Sequence, residues 1–162
     1  MPSTAETWRG LAVENESRCS VYEAADYSYP ASIEREIVEQ QGGVWSPYTR
    51  RRFASIRETD IEHIVPRSEA HDSGLCARSK DARRGFARDL LNLTLASPEV
   101  NRRQKRAFDP ADWLPDENRC WYARRWIQVK RKWQLSVDHA ERDALEAILG
   151  ECRMARLQGP ER

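Results

Sequence analysis

Two short runs of alternating polar and apolar residues, Thr59–Val65 and Leu90–Leu95, lie about two dozen residues apart, and the second leads at once into Ser97-Pro98. That order constrains the fold more than any other feature of the chain. Thr59-Asp60-Ile61-Glu62-His63-Ile64-Val65 alternates polar with β-branched side chains, the pattern of a half-buried strand. Pro66 has no N–H to donate, so the ladder should stop there. Leu90-Leu91-Asn92-Leu93-Thr94-Leu95 reads as a second strand with one amide among apolar neighbours. Ser97 suits a helix N-cap and Pro98 the first helical position. Asn101 then falls in the first turns, with Lys105 one turn further along the same face. The connection between the strands is too long for a plain loop. It should carry a helix over Lys80–Asp89, with Gly74 marking a turn.

The flanks read as mostly helical. Ser32–Glu39 has apolar residues at helical spacing and stops at Gly42-Gly43. Val44–Thr49 reads as strand and turn. Asp109–Leu114 is expected as a short capped helix, and Asp116 as the cap of a longer one from Glu117 to about Trp133. Within it Trp121, Arg125, Trp126, Val129 and Trp133 form a mixed face suited to core packing. Asp138 should cap a last helix that buries Ala144, Leu145, Ile148 and Leu149, and the tail after Cys152 has little to fold with. The expected class is α+β in a single domain, 1–162. A strand–strand–helix core at about 44–108 sits between a helical segment, 1–43, and helices over 109–152.

Composition narrows the setting. A chain of 162 residues can bury a core without staples. Six Trp and five Tyr argue against disorder despite a charged fraction of 33%. No apolar run approaches the roughly 18 residues of a membrane span. MPSTAETWRG lacks the regions of a signal peptide, which gives an expectation of a cytoplasmic protein. The four cysteines, Cys19, Cys76, Cys120 and Cys152, are then expected as reduced, buried thiols. A shared structural zinc is an alternative, and two disulfides another if the protein is exported. Net charge is only +1, but basic residues gather at Arg50–Arg52, at Arg102, Arg103, Lys105 and Arg106, and at Arg124–Lys132. That asymmetry suits a phosphate-binding face, with Arg51, Arg52, Arg102 and Arg103 as the contacts.

Glu62-His63-Ile64-Val65-Pro66, Asn92 and Asn101, in this order, resemble the HNH nucleases, also called ββα-metal or His-Me finger nucleases. RCSVY near Cys19, SPYT at Ser46, SEAHDSGLC and NRCWYARR are similar to flanks of uncharacterised bacterial HNH endonucleases. The resemblance implies that His63 is the general base, that Asn92 holds the loop and orients it, and that Glu62 and Asn101 bind one divalent metal ion. It implies DNA as substrate, RNA not being excluded, and a monomer or homodimer with no membrane role.

The residue types suit that chemistry. Phosphodiester hydrolysis needs a deprotonated water, neutralised charge on the phosphate and help for the departing oxygen. An unperturbed imidazole titrates near pH ~6.5 and can take the proton. Carboxylate and amide oxygens suit a hard ion, which places Mg²⁺ or Mn²⁺ ahead of Zn²⁺ or Ni²⁺. Lys105 would add positive charge near the phosphate. One tension is geometric: neighbours in a regular strand face opposite ways, so Glu62 and His63 should not share a site unless the strand bends. His71, Glu69 and Asp72 could approach the site, while His139 reads as a surface residue. The alternative function is a catalytically degenerate module that binds nucleic acid or a protein partner.

Overall fold

The computed structural model describes residues 4–153 and 156–162. Strands β1 (Thr7–Trp8) and β2 (Leu11–Ala12) form a small hairpin. Helix α1 (Ile33–Gln41) ends at Gly42, whose φ of 77° needs the freedom of glycine. Strand β3 (Asp60–His63) is followed by α2 (Arg67–Asp72) and α3 (Lys80–Ala87). Strand β4 (Leu93–Ala96) then pairs with β3, and a π-helix (Glu99–Lys105) follows it. Helices α4 (Arg119–Lys132) and α5 (His139–Glu151) complete the regular elements. The result is the expected α+β class.

The central hairpin is antiparallel, with Asp60 opposite Ala96 and His63 opposite Leu93. Ile61, Leu93 and Leu95 pack with Ile33 and Ile37 of α1 in one small core. A larger core gathers Tyr27, Tyr48, Ile64, Val65, Phe86 and Trp126. Trp126 and Val129 have no exposed surface, so this face of α4 packs the interior and is closed to bases.

Several boundaries differ from expectation. Among the described residues before 44 the α-helix is confined to α1; Glu14–Ser20 forms no regular element, and its Glu14 and Ser17 N–H groups donate to the Val137 and Asp72 carbonyls. Asp109–Leu114 is a turn: Asp109 Oδ1 accepts from the Ala111 N–H at 2.7 Å and its carbonyl from Asp112, which caps a bend without extending a helix. Helix α4 begins after Asn118, not Asp116. Asn118 sits at φ 57°, with its amide nitrogen donating to the Pro47 and Gln158 carbonyls. The tail also folds more than expected. The Glu161 N–H donates to the Arg50 carbonyl at 2.9 Å, and the Gln158 N–H to Asn118 Oδ1 at 2.8 Å. Residues 154–155 of that tail lie outside the described residues. At the last helix, Asp138 and Glu141 form a reciprocal capping box.

The cysteines are paired, which corrects the expectation of free thiols. Cys19 bonds Cys76 and Cys120 bonds Cys152, with Cα separations of 5.5 and 5.7 Å. Both fall within the reach of a disulfide. With all four sulfurs bonded, the shared zinc alternative also falls away.

A buried lysine anchors the far side. Lys130 Nζ donates to Glu69 Oε1 at 2.9 Å and to the Ser136 carbonyl at 2.7 Å, and pairs with Glu141 Oε2 at 2.7 Å. Carboxylate oxygens of Glu16, Asp109, Asp138 and Glu141 lie within 4.8 Å of one another. Burial pushes the Glu141 carboxyl up to about 7, against the pull of Lys130. A raised carboxyl contributes stability below its unfolded value and loses it as pH rises through the folded value. The melting temperature should therefore fall as pH rises from about 4.5, the ordinary carboxyl value, to about 7. Glu141→Gln, which can still cap α5, should flatten that slope in thermal melts across the window.

Candidate active site

Local chemistry bends the chain directly after β3. Pro66 leaves the ladder, and Asn92 takes over the pairing from its side chain. Asn92 Oδ1 accepts from the Val65 N–H at 2.7 Å and Nδ2 donates to the Val65 carbonyl at 2.9 Å, while its own carbonyl accepts from the Ile64 N–H. The residue is fully buried. Asn92→Ala would leave two buried backbone groups unpaired, each costing about 1–3 kcal/mol. Urea unfolding should show a loss of about 2–4 kcal/mol by the same reasoning.

His63 sits at the floor of a cleft of about 650 Å³, 6% exposed. Its ring lies near Phe86, with centroids 6.4 Å apart, and near Tyr29 at 5.5 Å. Nε2 is 3.0 Å from the Ala87 carbonyl. A carbonyl can only accept, so Nε2 carries the proton and Nδ1 the lone pair. Among the described residues Nδ1 has no hydrogen-bond partner, yet it is not sealed from solvent. Burial pushes the imidazole down to about 3, with Arg67 and Lys105 adding to the effect and the Ala87 bond opposing it. His63 is therefore neutral throughout the physiological range.

The strand alternation decides what accompanies it. Asp60 and Glu62 share the face toward the π-helix, where Asn101 and Lys105 meet them one turn apart. Glu62 is 3% exposed; Oε1 accepts from Lys105 Nζ at 3.0 Å, and Oε2 from the Tyr48 hydroxyl. Lys105 has no exposed surface and donates also to the His63 carbonyl at 3.0 Å. Burial pushes the Glu62 carboxyl up and the Lys105 ammonium down, and their attraction resists both shifts.

This corrects two expectations. Glu62 has both oxygens engaged inside the protein, so it offers no free ligand atom to a metal. Lys105 is sealed beneath the strand and holds its end in place, so it does not reach a phosphate. The carboxylate that meets Asn101 is Asp60: Asn101 Nδ2 donates to Asp60 Oδ2 at 2.9 Å, in the same cleft as His63. Arg102 also pairs with Asp60 through both oxygens, at 2.9 Å each. Partial burial pushes the Asp60 carboxyl up, but the Arg102 and Asn101 bonds outweigh it and hold it below its ordinary range.

The basic residues divide. Arg102 lines the cleft, joined by Arg106 of the same basic cluster and by Arg67, which the sequence had not singled out. Arg106 follows the π-helix at φ 49°, a left-handed backbone rare for a side chain of this size. Arg103 pairs with Glu99 at 3.4 Å on the surface. Arg51 lies over the Phe53 ring, and Arg52 donates to the Glu161 carbonyl. Arg51, Arg52 and Arg103 are thus outside the cleft lining. Asp60 was also missed, although its same-face spacing from Glu62 was a legible signal. His71 is structural, bonded to the Tyr27 hydroxyl and the Ser20 carbonyl, while His139 is on the surface beside Glu6.

A neutral imidazole, a carboxylate–amide pair and guanidinium groups thus line one cleft. The chain belongs to the family of GmrSD restriction endonucleases, C-terminal domain, whose profile matches residues 13–148. It is also similar to an "Uncharacterized secreted protein" of Arthroderma benhamiae, 36% identical over 123 residues. That match covers 74% of this chain and 60% of the relative, so the chain spans less than two thirds of the relative's length. The relative's name overturns the cytoplasmic expectation, and the paired cysteines agree with that correction. No solved structure matches the chain.

Proposed function

We propose that the chain is a metal-dependent endonuclease of the HNH, or ββα-metal, type that hydrolyses DNA and works in an oxidising, extracytoplasmic setting. The observation that carries this reading is His63, its Nε2 fixed on the Ala87 carbonyl and its Nδ1 left reachable, beside the Asp60–Asn101 pair. In this reading Nδ1 takes the proton of the attacking water. Ala87 holds the ring in the tautomer that can do so, and Asn92 fixes the bend on which the ring stands.

The residues in the cleft fit a hard divalent ion. Asp60 supplies a carboxylate, Asn101 an amide that can present its oxygen, and the Arg102 arm already satisfies Asp60 with positive charge from a 69% exposed side chain. With one partner this exposed, the pair is screened by solvent and can yield to an ion. Mg²⁺ or Mn²⁺ held by Asp60 and Asn101 would supply Lewis-acid stabilisation of the phosphate and the departing oxygen. The family supports DNA as substrate.

Supercoiled plasmid tests the reading directly. Nicking that requires Mg²⁺ or Mn²⁺, stops with EDTA, and is lost in Asp60→Ala and Asn101→Ala is the expected result. If the wild-type protein left DNA intact with every ion while still binding it, a catalytically inert binding module would replace this reading. The setting has its own test. Cys19 and Cys76 close a loop with a sequence separation of 57, and such a bridge typically contributes about 2–4 kcal/mol. Cys19→Ala/Cys76→Ala should lower stability by that amount in denaturant melts, and dithiothreitol should destabilise the wild type by more than the variant, which keeps only the Cys120–Cys152 bridge.

A further inference from the structure

Asp60 is the carboxylate that a metal ion in the cleft would use, and a guanidinium already grips it. Arg102 Nε donates to Oδ2 and Nη2 to Oδ1, each at 2.9 Å, so the fork closes over both oxygens. Asn101 Nδ2 adds a third donor at Oδ2, also at 2.9 Å. A carboxylate offers about four lone-pair directions, and three of them are taken. Two successive residues of the π-helix thus converge on one side chain of β3.

The two ends of the Arg102 pair differ in freedom. The Asp60 side chain is 16% exposed and is carried by a paired strand, whereas most of the Arg102 side chain is exposed. Among the described residues the Arg102 guanidinium donates to Asp60 alone. A divalent ion on Asp60 needs lone pairs that the fork occupies, and its charge repels the guanidinium. The two cations compete, and Arg102 is the one that can move. Asn101 has to turn its amide over to offer an oxygen to the ion, which breaks the third bond as well. The released arm remains beside the cleft, whose lining it shares with His63 and Arg106. A phosphate there presents two oxygens that the same fork can take.

We propose that Arg102 is a metal-released phosphate clamp: it holds Asp60 until a divalent ion takes that carboxylate, and then turns its fork to a phosphate of the substrate. This rests on the nuclease reading for the ion at Asp60. Metal and DNA then bind cooperatively, and by reciprocity each raises the affinity for the other by the same factor.

Arg102→Gln tests the clamp through two binding measurements that do not depend on turnover. The first is a Mn²⁺ titration of the protein alone, read from the paramagnetic resonance signal of the free ion. Removing the competitor should tighten Mn²⁺ binding by about 5- to 150-fold, the usual span of a coupling between sites. A guanidinium that only props the carboxylate would give weaker binding when lost. The second is fluorescence anisotropy of a short labelled DNA duplex, in the His63→Ala background so that the base is absent. The affinity lost on adding Arg102→Gln should be at least ~5-fold larger in saturating Mn²⁺ than in EDTA, because the fork reaches the phosphate only after release. Unchanged or weaker Mn²⁺ binding in Arg102→Gln overturns the clamp, as does an equal loss of DNA affinity in Mn²⁺ and in EDTA. The two readings fail separately. If the wild type cuts DNA with Mn²⁺ while Arg102→Gln leaves Mn²⁺ affinity unchanged, the nuclease stands and the clamp falls. If both binding results appear and the wild type leaves plasmid intact, the clamp stands and hydrolysis falls.

Discussion

Replacing His63 by alanine should reduce kcat on DNA by about 100- to 10,000-fold, the range that a positioned general base contributes. Binding of DNA should persist, because the arginines and Asn101 remain in place. Single-turnover cleavage alongside anisotropy reads both. The same residue fixes the pH response. The imidazole loses its activity as a base when it is protonated, and burial holds it down to about 3. Asp60 is also held below its ordinary range. The acid limb of kcat/KM should therefore lie well below the ~6.5 of an ordinary imidazole. At pH ~5.5 an unperturbed histidine would leave about a tenth of the activity; here most of it should survive. An acid limb centred near 6.5 in the wild type would show that the ring titrates as an exposed histidine, contrary to its packing.

Lys105→Met should be the most destabilising change at the site. It leaves the Glu62 carboxylate buried with the Tyr48 hydroxyl as its remaining partner and removes the donor to the His63 carbonyl. Breaking a buried pair from one side costs about 3–5 kcal/mol. For a chain of this length that is about 6–20 °C in melting temperature. Replacing both partners, Glu62→Leu with Lys105→Met, should recover more than half of the loss, since no unpaired charge is left inside. The activity readout distinguishes this from a phosphate-binding lysine. Below its melting transition the single variant should still cleave DNA, whereas loss of a phosphate contact would give a stable, inactive protein.

Much of the hairpin and its helix could be read locally. Alternation from Thr59 to Val65, the missing donor at Pro66 and the cap at Ser97 are each decided within a few residues. Ser97 Oγ does accept from the Val100 N–H, at 3.2 Å. His63, Asn92 and Asn101 were legible for the same reason, being fixed to the ends of those elements. The role of Glu62 was not, because it depends on how strand and helix register against one another. Two strand residues advance about 6.6–6.8 Å, and Asn101 and Lys105 stand about one turn apart on the π-helix. The steps are close enough that Asp60 meets Asn101 while Glu62 meets Lys105, and the motif's own acid turns inward. The start of α4 was misplaced because Asn118 is recruited by Pro47 and Gln158, at sequence separations of 71 and 40.

The connectivity of the two disulfides also has a consequence for biogenesis. Four cysteines allow three pairings, and the one adopted joins first to second and third to fourth, so neither loop encloses or crosses the other. Chains are made from the N-terminus, and early segments can fold before later ones emerge. The first crosslink can thus close around β3 while Asn92 and Asn101 are still unmade. His63 lies inside that loop, whereas Ala87, which fixes its ring, is made after it. A maturing molecule completes this cleft late, once its first covalent tie is already in place.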